Sequence, residues 1–121
     1  MLCSFLHRND LLTDVDLSYC QFSIEQMTQI FLALRGSLSL NNLNLAFNMN
    51  EYSRSPEQSQ ELFDAMVDLF EHNQKLVHLD LSGLNLGAHI LKMAPALIKS
   101  LTLQAIHLHN NGILRDVLME L

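Results

Sequence analysis

Basic residues are scarce in this chain of 121 residues: 7 Lys and Arg stand against 13 Asp and Glu, a formal net charge of −6. That balance argues against a nucleic-acid backbone as partner, which calls for clustered cations to displace counterions, and favours basic or neutral protein partners. Cysteine is nearly missing. Cys3 and Cys20 make no C-x-x-C spacing, so neither a disulfide framework nor a zinc site is expected, and a reducing, cytoplasmic compartment is. No apolar run approaches the roughly 18 to 20 residues that span a bilayer, so no membrane segment is expected. The start, MLCSFLHRND, has too short an apolar stretch and no preceding basic region for a secretory signal. Catalytic signatures are also missing. There is no G-x-S-x-G, no H-E-x-x-H and no glycine-rich phosphate loop, and the four glycines, Gly36, Gly83, Gly87 and Gly112, fall where turns are expected. Neither an enzyme nor a cofactor is predicted.

What the chain has is leucine in a recurring frame. Hydrophobic residues make up 49% of it, enough for a core in one domain. The pattern L-x-x-L-x-L occurs as LTDVDLSYC from Leu12, LNNLNLAFN from Leu40, LVHLDLSGL from Leu76 and LQAIHLHNN from Leu103, with Val15 and Ile106 as conservative replacements. The starts are 28, 36 and 27 residues apart. Self-similarity at such a period takes precedence over any local reading. The intervening segments align too. Ten residues before each frame stand Leu2, Ile30, Met66 and Met93; six before, Leu6, Leu34, Phe70 and Leu97; three before, Asn9, Ser37, Asn73 and Ser100. Apolar positions four apart followed by a polar break predict a helix with one buried stripe, then a turn. Each unit is therefore a short strand followed by a helix.

The motif L-x-x-L-x-L-x-x-N/C with a helix and a period near 28 resembles the leucine-rich repeat family, in particular its ribonuclease-inhibitor-like class. The Asn/Cys position is filled by Cys20, Asn48 and Asn111, and Leu84 departs from it. In the family that side chain satisfies backbone groups of the loop leaving the strand; Leu84 has nothing to offer them, which points to Gly83 and Gly87 or to another bridge. The resemblance spans 1–121 and implies an α/β fold: a single solenoid of about four strand-helix repeats, frames near 12–20, 40–48, 76–84 and 103–111, a short parallel sheet on the concave face and helices on the convex face. One repeat cannot cover its own apolar side, so neighbours stack into a continuous core. The same solenoid serves inhibitors, innate-immune receptors, GTPase-activating proteins and cytoskeletal proteins, so the resemblance is nearly silent on function.

Three features bear on what the chain contacts. The extra residues of the long spacing form a polar insertion, 48–60, in which Ser55-Pro56-Glu57-Gln58 reads as a helix start running to about His72. The ends read as uncapped, residues 1–9 as the tail of a helix and Ile113–Leu121 as the opening of another, which makes terminal repeats candidate contact surfaces. The face between the inward leucines carries Asp14, Asp16 and Tyr19, Asn42, Asn44 and Phe47, His78 and Asp80, and His107 and His109. Strands about 4.8 Å apart would align Asp16, Asn44, Asp80 and His107 into one ladder, with Tyr19 and Phe47 as aromatic anchors at a rim. Contact with water alone also demands a polar face. His78, Asp80, His107 and His109 are ligand types for Zn²⁺, yet nothing in the sequence builds a second shell around them, and no metal is predicted. Arg8, Arg35, Arg54 and Arg115 fall in helix or loop contexts, with no presented arginine for a GTPase-activating role. The expected function is a non-enzymatic protein–protein interaction module, a scaffold or subunit of a larger cytoplasmic assembly, cytoskeletal ones included. The alternative is a regulator or inhibitor that grips one basic protein in the acidic concave face.

Overall fold

The computed structural model describes residues 2, 6, 11–48, 55–100, 102–109 and 111. The expected helix at 113–121, Cys3, Asn9, Asn110, Gly112, residues 49–54 of the insertion, and Arg8, Arg54 and Arg115 lie outside the described residues. The elements run β1 (Asp14–Asp16), α1 (Ile24–Leu34), β2 (Asn42–Asn44), α2 (Pro56–His72), β3 (His78–Asp80), a 3-10 turn (Gly87–His89), α3 (Ile90–Lys99) and β4 (Ala105–His107). The four strands form one parallel sheet in sequence order, and each consecutive pair is joined through a helix. α1 packs on α2 and α2 on α3. Leu2 and Leu6 are helical, and Leu6 is buried in the same core. The protein is thus an α/β fold with sheet and helices in two layers.

The helices start where the side chains can replace missing backbone partners. Ser23 caps α1 by accepting from the Gln26 amide, while the Gln26 side chain accepts from the Ser23 amide; Ser55 and Gln58 do the same for α2, with Pro56 in its first turn. The predicted start at Ser55 and end near His72 coincide with α2; residues 56–60, read as part of the insertion, are its first turns. α3 has no side-chain cap and carries Pro95 in its interior, where the ring removes one intrahelical donor. It is also the shortest of the three.

The core is the product of the two periodicities. Leu43, Leu45, Leu79 and Leu81 of the central strands are at most 3% exposed, and the helix stripe Ile30, Leu34, Met66, Phe70 and Met93 is buried against them. At roughly 1.5 to 3 kcal/mol for each fully buried large apolar side chain, these residues carry the fold. The same frame positions at the outer strands, Val15 and Leu17 of the first repeat and Ile106 and Leu108 of the fourth, are only half-buried. The core therefore thins toward both edges of the sheet.

The strands are short because their ends turn sharply, yet the parallel ladder continues past them. Leu17 and Tyr19 donate to the carbonyls of Asn44 and Ala46, Leu45 and Phe47 to Asp80 and Ser82, and Leu81 and Gly83 to His107 and His109, all at 2.8 to 3.0 Å. Tyr19, Phe47 and Gly83 share one position in the frame and all hold a left-handed backbone, φ 55°, 57° and 67°. Only the glycine does so without steric cost.

Asparagine closes the loops, but not in the repeat that carries it. The buried Asn48 Oδ1 accepts the amides of Cys20 and Phe22 at 3.1 Å, and its Nδ2 donates to the carbonyls of Leu17 and Leu45. Asn111 treats the third repeat alike, accepting from Leu84 and Leu86 and donating to Leu81 and Leu108. The Leu84 turn is thus bridged from its neighbour, with Gly83 and Gly87 both at positive φ. Cys20, at the same frame position in the first repeat, is exposed, and its thiol donates to the Ser18 carbonyl. Ser39 Oγ and Thr102 Oγ1 likewise reach back one repeat, to the carbonyls of Leu12 and Leu76. Between the second and third repeats the same two positions hold Leu84 and Lys75. The repeats therefore alternate in kind. Ser37/Ser100, Ser39/Thr102 and Asn48/Asn111 recur at 63 residues, and Asp16/Asp80 and Ser18/Ser82 at 64.

Candidate functional site

Strand pairing places Asp14, Asn42, His78 and Ala105 in one row, and Asp16, Asn44, Asp80 and His107 in a second. Asp14, Asp16, His78 and His107 are exposed, and Asn42, Asn44 and Asp80 half-exposed. Together with the backbone between them they line a shallow depression of ≈ 310 Å³. The predicted ladder is therefore assembled, and it is polar and acidic toward β1 and carries imidazole toward β4.

Much of this polarity has a local structural task. Each strand leaves the sheet through a turn whose second amide needs an acceptor. Asp16 Oδ1 accepts from Ser18 N at 2.9 Å and from Ser18 Oγ at 2.6 Å, Asn44 Oδ1 from Ala46 N, and Asp80 Oδ1 from Ser82 N. At the fourth strand, where His107 stands, the equivalent amide of His109 donates to Ser82 Oγ instead. The Ser18 hydroxyl, and then its amide, hold the Asp16 carboxyl below the usual carboxylate range. Asp14 accepts from the Asn42 side-chain amide on the next strand and from the Thr13 hydroxyl. These bonds hold the carboxylates in one direction and leave oxygens for a further donor.

Tyr19 and Phe47, expected as two anchors at a rim, form a single plate. Their rings stack at 4.8 Å between centroids with 10° between planes, an arrangement worth about 1 kcal/mol beyond its buried area. Tyr19 is 70% exposed, and Phe47 lies over Gly83, where a β-carbon would collide with its ring. Three repeats thus contribute to one apolar step beside the acidic rows. Ala46 and Ser82, two positions beyond Asn44 and Asp80 in the strand alternation, are buried because the chain is already turning there.

Other groupings come apart. His107 and His109 stack on one another at 6.2 Å, and His107 stands beside Asp80, but among the described residues no three His, Cys, Asp or Glu side chains come close enough to share a metal. Arg35 is held on the helix side, its Nε 3.2 Å from Asp68, which also meets His72 Nδ1 at 2.9 Å. Sequence reasoning missed the cap at Ser23, legible as S-x-x-Q, and missed Asn73, whose Oδ1 takes the amides of Lys75 and Leu76 and whose Nδ2 reaches the Leu34 carbonyl. The latter bond spans 39 residues and has no local signal.

A comparison with protein-family models finds no match to this chain, and neither does a search of curated proteins. Among the described residues no helix is long and apolar enough to cross a membrane.

Proposed function

We propose that this chain is a leucine-rich repeat solenoid acting as a non-enzymatic protein–protein interaction module, a scaffold or subunit of a larger cytoplasmic assembly, cytoskeletal ones included. The observation that supports the reading is the open face of the sheet: in-register carboxylates and amides, fixed by their own turns, bordered by an exposed aromatic plate. Preset acceptors lose little freedom on binding, and an aromatic surface beside them supplies apolar contact, the combination that protein interfaces favour.

A second reading is a regulator that grips one basic protein on this face. It is favoured by Asp14, Asp16 and Asp80 all lining one depression, in which no Lys or Arg stands among the described residues. Titration with an oligo-arginine peptide tests whether the face selects cations. Binding that weakens with salt and is lost when Asp14, Asp16 and Asp80 are changed to Asn supports the basic-partner reading. Equal binding by the triple variant would remove it and leave the scaffold reading to be tested through Tyr19→Ala, which strips the aromatic plate.

A further inference from the structure

We infer that the imidazoles of the sheet face make its affinity for a cationic partner depend on pH, full when they are neutral and largely lost when they carry protons. The inference rests on the reading of that face as a site for a basic protein and adds how such a site is regulated. Its ground is placement. His78, His107 and His109 are all exposed, and the parallel register sets them among the carboxylates rather than apart from them. His107 lies opposite Asp80, and His78 is two residues from Asp80 in β3, which puts both side chains on one side of the strand.

The groups around them leave the charge change to imidazole. The depression is lined by the carboxylates of Asp14, Asp16 and Asp80, the imidazoles of His78 and His107 and the uncharged amides of Asn42 and Asn44. Against His107 stand Asp80 of β3 and, stacked at 6.2 Å just past β4, His109; His78 has Asn42 and Ala105 as its row neighbours. Arg35 and His72 are held at Asp68 in the helix layer, behind the sheet. Carboxylic acids give up their proton near pH 4, imidazole between about pH 5 and 8, and Ser18 holds the Asp16 carboxyl lower still. Between about pH 8 and 5.5 the face thus changes through its histidines.

The change is large for so small a surface. Three carboxylates stand alone when the imidazoles are neutral, and three cations join them when the imidazoles are charged; over the whole chain, protonating all six histidines takes the formal net charge from −6 to zero. Position decides which acid is most affected. Parallel strands about 4.8 Å apart put a charged His107 within reach of Asp80, whose Oδ1 is already taken by the Ser82 amide, so the proton and an arriving cation compete for one carboxylate. β1 lies two strand spacings from β3, about 10 Å, which is a Debye length at moderate salt, and Asp14 and Asp16 are screened accordingly. Such coupling is reciprocal: a cation bound on the face must hinder protonation of His107 by the factor that protonation weakens its binding.

Anisotropy of a labelled oligo-arginine peptide, titrated with the chain at one ionic strength and at several values between about pH 8 and 5.5, reads the effect with a probe whose guanidinium groups stay charged throughout. The expected result is binding roughly tenfold or more weaker at the acidic end, with its midpoint in the imidazole range. Changing His78, His107 and His109 together to Gln should bring the ratio of the two affinities to within about twofold, whereas His72→Gln, in the helix layer, should leave the ratio as it is. His107→Gln alone, which should at least halve the ratio, carries the test if the triple variant loses the wild-type circular dichroism. NMR of the His107 ring gives the reciprocal reading, a titration moved to lower pH by the peptide. Equal affinity across the range, a pH dependence that survives the histidine variants, or a His107 titration that the peptide leaves in place would overturn the inference while the basic-partner reading stands. Failure to bind at about pH 8, or binding there that the triple carboxylate variant retains, would instead remove that reading and the pH dependence with it.

Discussion

Asn48 and Leu84 occupy the same place in two successive repeats, both wholly buried, and they solve opposite problems. Asn48 binds two amides of the previous loop and two carbonyls of the strands on either side. Leu84 adds only apolar volume, and its own amide is taken by Asn111 of the next repeat. The loops of the first and third repeats do not use an asparagine of their own; each is served by one in the repeat that follows. That is why the motif tolerates alternate failures, at Cys20 and at Leu84, without a broken turn.

The sharpest way to test the comparison is to exchange the two residue types. Leu84→Asn should destabilise by about 3 to 4 kcal/mol, since it removes a buried side chain and inserts an amide among apolar neighbours; a neutral result in urea unfolding would mean the two positions are interchangeable after all. Asn48→Ala should cost about 3 kcal/mol because several buried backbone groups lose their partner together, and amide exchange should quicken at Cys20 and Phe22 more than elsewhere. Gly83→Ala tests the neighbouring corner. It should cost about 2 kcal/mol from the positive φ and the occupied space, and Phe47→Ala in the same chain should recover the steric part, seen as a smaller loss in the double variant than the sum of the singles.

The smallest effect concerns Asp16. Its carboxyl is held below the ordinary value by Ser18, so its contribution to stability is present above the unfolded-state pKa and is lost as pH falls through the lowered folded value. Ser18→Ala should move the Asp16 titration, followed by NMR, back up toward the usual carboxylate range. An unmoved titration would detach Asp16 from the turn and reopen it as a residue kept only for contact.

Leucine spacing made the layers legible: four frames and the helix stripes translate into buried positions because strand and helix periods differ and each leaves its own signature. Ser55-Pro56 announced α2 for the same local reason. The ladder Asp16, Asn44, Asp80 and His107 was also readable, since equal frame positions must become neighbours once strands pair in parallel. What stayed hidden depends on contacts between repeats. Nothing near Asn48 in sequence says that it serves Cys20, 28 residues earlier, and nothing near Phe47 says that its ring lies over Gly83.

The 36-residue and 28-residue connections arrive at the same pairing, Asn42 opposite His78 just as Asp14 stands opposite Asn42. Connection length and strand register are therefore decoupled in this molecule. A peptide epitope or reporter spliced ahead of Ser55 would depart from Asn48 and return at the α2 cap, two points that hydrogen bonds of their own hold in place.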